Sequence, residues 1–369
     1  MKLSIIICTF NRSTELEQLL EDLATQHRRL RSSEAHEIEV ILVDNNSMDN
    51  TNAVAYRFIE STGLSIKYFT HDRFGLTQCR NFAITKATGD LLAFIHDDVN
   101  LDEDWLKEVY KIACNCKDQE IGVYGGRSIP LWQNQVPDWL NLEPPYGIRQ
   151  DVFTGHSHGD EESYYPFASD FGLAEFPCGA NVLIRREIFE NCGDFRTDLG
   201  ANAAGGFGLY DDFEFFEYLS CLKIPMLYLP QLIVFHPVSP SQLTIQSVRR
   251  WYFKAAKAHY WIAHTDRMKR QPHSLFAIEA KYRQMFSELP TNQIKGVAFY
   301  LYLKLMGLSA WWLALHLSLD AKRRNFISYK ISETMGQIDA AVMISETVVH
   351  QKFSFKNRLV KKSSMLNAQ

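Results

Sequence analysis

The sequence has no cysteine pattern typical of a zinc site or a disulfide framework, and it has little excess charge of either sign. Its 7 cysteines are an odd number, and none of them belongs to a C-x-x-C pair. The 39 basic and 43 acidic side chains give a net charge of −4. Because such a chain has no general attraction to polyanions, we expect no nucleic-acid partner.

The N-terminus lacks the apolar core of a signal peptide. The opening MKLSIIICTFNR contains an apolar run of only about six residues, too short for that purpose and typical of a buried strand. Together with the scattered cysteines, this favours a cytoplasmic setting.

Gly-rich phosphate loops are also missing. No G-x-G-x-x-G follows the first predicted strand, and no G-x-x-x-x-G-K-[ST] occurs anywhere. A dinucleotide-dependent dehydrogenase and a P-loop kinase are therefore disfavoured. The segment CTFNRSTE is also not the Gly-rich, Lys-containing loop that a sugar nucleotidyltransferase would need.

Strand and helix patterns alternate over roughly the first 125 residues. A capping box, Thr14 and Glu17, is expected to open the first helix. The predicted strands are mostly apolar, which is typical of a parallel sheet covered on both faces, so we expect an α/β fold with a mostly parallel central sheet. These strands are Leu3–Cys8, Ile38–Val43, Ile66–Phe69, Leu91–His96 and Ile121–Tyr124.

The later part of the chain is less regular. Proline and glycine interrupt residues 128–175, a strand passing into a helix is expected over Phe176–Phe189, and an acidic helix over about Asp211–Leu222. Two short strands, Met226–Leu229 and Ile233–Phe235, follow. From about Ser241 onward the pattern is helical, so we expect one domain over residues 1–240 and a helical region over 241–369.

Polar residues follow each of the first four predicted strands. A strand commonly ends where polar residues begin. This alone would explain polar residues after one strand more easily than after four. Because the carboxyl ends of parallel strands meet at one edge of a sheet, the pattern predicts a ligand site there. The residues are Thr9, Asn11, Arg12, Asp44, Asn45, Asn46, His71, Asp72, Arg73, His96, Asp97 and Asp98.

The adjacent carboxylates of Asp97 and Asp98 repel each other unless a cation lies between them. Oxygen ligands of this kind suit Mg²⁺ or Mn²⁺, which commonly also bind phosphate oxygens of a substrate. A nucleoside diphosphate group is therefore the expected ligand.

Six segments together resemble the family 2 glycosyltransferases with the GT-A fold. They are SIIICTFNR, VDNNSMDNT, GLTQCRNFAITKATGDLLAFIHDDV, GANVLIRREIF, YDDFEFFEYL and VFHPV, in the expected order over about residues 1–240. The resemblance implies a GT-A domain that transfers a sugar, with inversion, from a nucleotide diphosphate donor to a saccharide or lipid-linked acceptor.

The resemblance also implies residue roles. A nucleotide sugar would be bound by Thr9, Asn11, Asp44, Asn46, Arg80, Asn81 and Asp97. Arg80 and Asn81 could instead form a surface ion pair and a helix cap. The metal ligands would be Asp98, His96 and His236, although the family more often has an acid at the position of His96, which could instead hydrogen-bond a phosphate.

In the family's acidic motif, Asp212 matches the general base and Asp211 stands where a Glu is usual. The two acids could also simply complement the N-terminus of a helix. Asn181 and Arg185 resemble acceptor-side residues, although Arg185 could be an ordinary charge at a helix start. The two departures from the family pattern leave open a catalytically silent module that binds a sugar nucleotide or glycan.

Residues 297–319 form an apolar stretch interrupted by Lys304 and His316. Since a central charge costs roughly 2.5 to 3.5 kcal/mol on insertion, a membrane span is disfavoured. Basic and aromatic residues nearby, Arg249, Arg250 and Trp251 among them, fit a peripheral protein on the anionic inner face of the cell membrane. They fit equally well a helical subdomain buried against the first domain or a dimer partner.

Overall fold

A computed structural model of the protein describes residues 2–30, 38–115, 120–140, 142, 148–167, 176–203, 208–264, 304, 305, 308 and 327–338. The chain divides into two compact units, of which the first holds the described residues before 245 and the second begins at Ile245.

The strands are β1 (Leu3–Thr9), β2 (Ile38–Asp44), β3 (Ile66–Thr70), β4 (Leu91–His96), β5 (Asn100–Leu101), β6 (Val123–Trp132), β7 (Ser163–Tyr164), β8 (Asn181–Arg185) and β9 (Met226–Val238). The helices are α1 (Ser13–Arg29), α2 (Thr51–Ser61), α3 (Leu76–Lys86), α4 (Trp105–Asn115), α5 (Arg186–Cys192), α6 (Asp211–Cys221) and α7 (Ile245–His264), with a short 3₁₀ helix at Gln150–Phe153.

The strands of the first unit form one sheet in the order β3-β2-β1-β4-β8-β6-β9-β5, and β7 pairs with β9. The first four strands run parallel in register, and β6 runs parallel to β9. Strand β8 is antiparallel to both β4 and β6. The predicted α/β fold with a mostly parallel sheet is therefore confirmed.

Helices cover both faces of this sheet. Alternate residues of β1, such as Ile5 and Ile7, pack with the leucines of α1 and with Trp105 of α4 in one core. On the other face, Phe94 of β4 contacts Phe189 of α5 and lies in an aromatic cluster near α6. The apolar strands are thus buried from both sides, as their composition indicates.

The structure corrects the predicted start of α1. No side chain of the helix itself caps its N-terminus, so the predicted Thr14–Glu17 capping box is wrong. Instead, Asp49 accepts a hydrogen bond from the backbone N–H of Ser13 at 2.9 Å. A carboxylate from another loop thus satisfies a free N–H at the helix start, a cap that local sequence does not show.

Two predicted strand ends are also corrected. Strand β6 continues through Gly126 to Trp132, and the two short strands predicted after residue 225 form the single strand β9. Their pairing shifts at Gly126–Arg127, where residues 230–232 of β9 bulge. A Cβ at Gly126 would collide with Asn181 and with the carbonyl of Leu232, so only glycine fits beside this bulge.

In the second unit, α7 packs with the helical residues 327–338. Tyr252 stacks on Tyr329 with ring centroids 5.5 Å apart, and Arg249 donates to the hydroxyl of Ser328.

All but three residues of the apolar stretch 297–319 lie outside the described residues, so membrane attachment stays a prediction. No described helix has the length and apolar character needed to cross a membrane.

Candidate active site

The polar residues that follow β1 and β2 lie at one edge of the sheet. Thr9 pairs with Asp44 at the carboxyl ends of these two parallel strands. Asn11 and Asn46 come just after them, and both have left-handed backbones, with φ of 51° and 65°. Asparagine tolerates this conformation better than most residues. The four residues thus stand at the edge where the sequence predicts a ligand site.

A turn after β2 is held firmly against β1. Asn11 accepts a hydrogen bond from the N–H of Met48 at 2.7 Å and donates its own N–H to Ser47. The buried carboxylate of Asp44 accepts from the N–H of Ser47 at 2.9 Å and from the hydroxyl of Tyr68 at 2.7 Å. Asp44 is therefore fixed in place, and its carboxylate oxygens keep further lone pairs for a ligand.

Arg12 neutralises the acid pair that follows β4. Its Nη1 atom lies 2.8 Å from Asp97 and 2.6 Å from Asp98. Burial raises the pKa of the Asp97 carboxyl, although Arg12 lowers it. Burial also raises the pKa of Asp98, but the groups around it together outweigh burial, so that it lies below its usual range. A positive partner is thus part of this site, as the paired acids require.

His96, Asp98 and His236 form a cluster whose ligand atoms all lie within 4.8 Å of one another. Oδ1 of Asp98 is 3.4 Å from Nε2 of His236 and 3.9 Å from Nδ1 of His96. This oxygen is buried and receives no hydrogen bond from the described residues. A buried carboxylate oxygen without a donor, between two imidazoles, fits a divalent cation.

The imidazole of His96 is neutral near pH 7. Its pKa is lowered to about 3, mainly by burial; the charge of Asp98 opposes this shift and that of Arg80 adds to it. A neutral imidazole carries one N–H and one lone pair, so each ring nitrogen has a different role.

Arg80 of α3 lies behind this cluster and is buried. Its Nη1 atom donates to Asp211 at 2.7 Å, and its Nη2 atom lies 3.0 Å from the carbonyl of Gly179 and 3.2 Å from Nε2 of His96. Burial raises the pKa of Asp211, although the guanidinium of Arg80 opposes this. Arg80 therefore joins His96 of the histidine–aspartate cluster to the start of α6.

Asp212 lies next to this junction. It accepts a hydrogen bond from the N–H of Gly179 at 2.7 Å and another from the N–H of Phe213 at 2.8 Å. The carbonyl of the next residue, Ala180, accepts from the N–H of His96. Residues from β4, the loop before β8, and α6 are thus brought into one neighbourhood.

The structure gives Arg80 and Asn81 contacts within the protein, and their role toward a nucleotide stays a prediction. Arg80 forms a buried ion pair with Asp211 rather than a surface one, and it also donates to the carbonyl of Gly179. Asn81 uses both ends of its amide on the backbone of Phe195, donating at 2.8 Å and accepting at 3.1 Å. Asn81 therefore holds the loop before α6, and its amide is already engaged where a nucleotide contact was expected.

The structure places the two expected acceptor-side residues, Asn181 and Arg185, away from solvent or away from the cluster, and their role toward an acceptor stays a prediction. Asn181 is fully buried, donates to the carbonyls of Arg127 and Leu232, and accepts from Trp105. It braces the bulge between β6 and β9, with no exposed atom for an acceptor. Arg185 pairs with Leu91 at the amino end of β4, the edge away from the cluster, because β8 runs antiparallel.

Two residues at the site received no role from the sequence. Arg12 follows the same strand end as Thr9. Its role could have been predicted from the adjacent acids Asp97 and Asp98, because two such carboxylates need a positive partner. Gly179 holds both Arg80 and Asp212 through its backbone, and a Cβ there would lie only 2.7 Å from Asp212. No local pattern marks this glycine, because only the fold brings its partners together.

The arrangement suits the transfer of a group away from an anion. Arg12 and the histidine–aspartate cluster can stabilise negative charge on a leaving group, and the fixed carboxylate of Asp212 can accept a proton nearby.

Comparisons with known proteins identify the family of the chain. Residues 4–193 match the sequence model of Glycosyl transferase family 2. The chain is 22% identical over 263 residues to the succinoglycan biosynthesis protein ExoM of Rhizobium meliloti, covering 70% of this chain and 74% of that protein. It is 24% identical over 204 residues to a glucosyl-dolichyl phosphate glucuronosyltransferase of Haloferax volcanii, covering 54% of this chain and 58% of that protein.

A similar solved structure is the mannosyltransferase PcManGT from Pyrobaculum calidifontis in complex with GDP-Man and Mn²⁺. The TM-score is 0.52 at 16% identity, covering 93% of this chain and 86% of that one. This likeness concerns the fold, and it agrees with the sheet and helices described above. The chain belongs to glycosyl transferase family 2 and has the GT-A fold.

Proposed function

We propose that this glycosyltransferase moves a sugar, with inversion at the anomeric carbon, from a nucleoside diphosphate donor to a saccharide or lipid-linked saccharide, with the help of Mn²⁺ or Mg²⁺. The proposal rests on Oδ1 of Asp98, which is buried between two imidazoles and accepts no hydrogen bond from the described residues. The carboxylate of Asp212 lies in the same neighbourhood. We assign the reaction to the domain over residues 1–240.

The nucleoside binds at the edge formed by Thr9, Asn11, Asp44 and Asn46. These residues lie at the carboxyl ends of β1 and β2, where ligands of open α/β sheets bind. The hydrogen bonds from Ser47 and Tyr68 fix Asp44 before the donor arrives. A fixed acceptor of this kind suits an N–H of a nucleotide base.

The diphosphate lies over the acid pair and the histidine cluster. Asp98, His96 and His236 are the protein groups that could hold a cation, and Arg12 adds a fixed positive charge beside Asp97. A divalent cation bound there supplies charge that stabilises the departing nucleoside diphosphate. Because imidazole is a poor ligand for Mg²⁺, we expect Mn²⁺ to support the higher activity.

Asp212 acts as the general base that removes the proton of the acceptor hydroxyl. Hydrogen bonds from Gly179 and Phe213 fix its carboxylate, and α6 begins at the preceding residue. A fixed base allows proton removal to accompany attack on the sugar. Attack from the side opposite the leaving diphosphate inverts the anomeric centre.

The acceptor class is inferred from the relatives. Their names concern succinoglycan biosynthesis in one case and a glucosyl-dolichyl phosphate in another. Both fit a role in polysaccharide or glycoconjugate synthesis, with a growing saccharide or lipid-linked saccharide as the acceptor.

The test is release of nucleoside diphosphate from a panel of nucleotide sugars, with Mn²⁺, with Mg²⁺ and with a chelator, in the presence of lipid and polysaccharide extracts. We expect one donor to be consumed only with metal, and NMR of the product to show an inverted anomeric centre. Asp98→Ala should abolish the metal dependence of donor binding. No release from any donor, or release unaffected by the chelator, would contradict the proposal.

A further inference from the structure

The contact between Arg80 and His96 determines where the imidazole carries its proton. Nη2 of Arg80 lies 3.2 Å from Nε2 of His96. The guanidinium is only 4% exposed and is held by Asp211 and by the carbonyl of Gly179, so it cannot turn away freely. A guanidinium has donors only, so Nε2 of His96 must be the acceptor.

A neutral imidazole that accepts at Nε2 carries its proton on Nδ1. Nδ1 is the nitrogen of His96 that faces the cluster, 3.9 Å from Oδ1 of Asp98. If Nδ1 were to bind a cation, the proton would have to move to Nε2. Two N–H groups would then face each other across 3.2 Å, in a place where Arg80 is already fixed by its other partners.

His236 has the opposite arrangement. Its Nδ1 lies 3.4 Å from the carbonyl of Pro237, an acceptor that favours a proton on Nδ1, and its Nε2 faces Oδ1 of Asp98 at 3.4 Å. The lone pair of His236 therefore points into the cluster. A ligating histidine commonly gives its other N–H to a carbonyl in this way.

We propose that Arg80 is a positioning residue that fixes His96 as a hydrogen-bond donor, with Nδ1–H directed at a phosphate oxygen of the sugar donor, while Asp98 and His236 are the protein ligands of the cation. The inference deepens the proposed function and rests on it for the identity of the phosphate. The two histidines of one cluster thus have different roles, which are set by what lies behind each ring.

The proton position is read by long-range ¹H–¹⁵N correlation NMR on the full chain labelled with ¹⁵N-histidine, with His96→Asn used to assign the signal. We expect His96 to carry its proton on Nδ1 in the wild type. Arg80→Lys keeps a donor-only side chain and should keep this tautomer, whereas the amide oxygen of Arg80→Gln can accept and should allow the other one. A wild-type proton on Nε2 would overturn the proposal.

The ligand assignment is read by calorimetric titration of Mn²⁺ into folded variants, with thermal melting as the check on folding. Asparagine can place an N–H near the position of Nδ1, so His96→Asn should weaken Mn²⁺ binding by less than about threefold, whereas His236→Asn should weaken it by more than about tenfold. Equal losses in the two variants would overturn the proposal. If the wild type binds no Mn²⁺, the proposed cation dependence fails, and the NMR measurement still decides the tautomer.

Discussion

Arg80 and Asp211 form a buried ion pair, with 2.7 Å between Nη1 and Oδ2 and side chains only 4% and 9% exposed. The two residues are 131 positions apart, on α3 and α6. The pair ties α6, whose second residue is the candidate base Asp212, to α3, whose Arg80 also contacts His96. Stability and chemistry at this site therefore depend on the same contact.

Removing one charge of this pair should destabilise the fold. Arg80→Gln leaves the carboxylate of Asp211 buried without its partner, so we expect a loss of roughly 3 to 5 kcal/mol in the free energy of unfolding. The double variant Arg80→Gln with Asp211→Asn buries no uncompensated charge and should recover most of this loss. Urea denaturation measures both values. Lys107→Gln, at an exposed ion pair with Asp104, is the control and should show no change. Equal stability of the single and double Arg80 variants would contradict the pairing.

Asp212→Asn should keep the affinity for the nucleotide sugar and lose transfer. The amide oxygen can still accept from the N–H of Gly179, while the bond from the N–H of Phe213 is lost and proton removal is disabled. We expect turnover to fall by about 10² to 10⁴-fold with little change in donor affinity. Donor binding by calorimetry and turnover by nucleotide release test this. Asp104→Asn, at an exposed acid, is the control, and an active Asp212→Asn enzyme would assign the base elsewhere.

Gly179→Ala should impair transfer more than folding. The added Cβ would lie 2.7 Å from Oδ2 of Asp212 and 2.9 Å from Nη2 of Arg80, so one of these groups must move. Because small displacements of a catalytic group are costly, we expect turnover to fall by about tenfold or more. Gly193→Ala is a matched control, since its φ of 84° strains an alanine while no atom lies within 4 Å of the new Cβ. The control should lower the melting temperature and leave turnover per folded molecule unchanged.

Glu39 should make the fold sensitive to acid. It lies buried on β2, where hydrogen bonds from Lys67, Ser4 and Thr88 outweigh the effect of burial and lower its pKa to about 2 from a usual 4.5. Since the folded-state pKa is depressed, this stabilisation is fully present above pH 4.5 and is lost as the pH falls toward 2. A shift of this size corresponds to roughly 3 kcal/mol.

Glu39→Gln should remove this dependence. We expect the variant to be less stable than the wild type at neutral pH and the difference to shrink as the pH falls through the window between 4.5 and 2. Chemical denaturation at several pH values measures it, and Glu60→Gln, at an exposed position on α2, is the control. A difference that stays constant with pH would contradict the ion-pair and hydrogen-bond account.

Local sequence was sufficient for the regular part of the fold. The apolar runs at β1, β2 and β4 predicted those strands to within a residue, because a strand buried on both faces needs continuous apolar residues. The start of α1 was missed, because its cap is Asp49, 36 residues away from Ser13. The length of β9 was missed as well, because it depends on pairing with β6 across the sheet.

Only part of the candidate site could likewise be predicted from local sequence. Residues at strand ends, such as Asp44 and Asp98, could be predicted, because the direction of parallel strands places their carboxyl ends together. The hydrogen bonds of Asn81 and Asn181 could not be predicted, because the partners of these two amides are distant in sequence.

The sequence by itself determined the α/β architecture, the edge that carries the polar residues, and the residue types present there, because periodicity and composition are local properties. The tertiary structure alone decided that Arg80 lies between His96 and Asp211, that Gly179 holds Asp212, and that Arg185 is at the other edge. These outcomes depend on the direction of β8 and on contacts between residues that are 16, 33 and 131 positions apart, which no local pattern records.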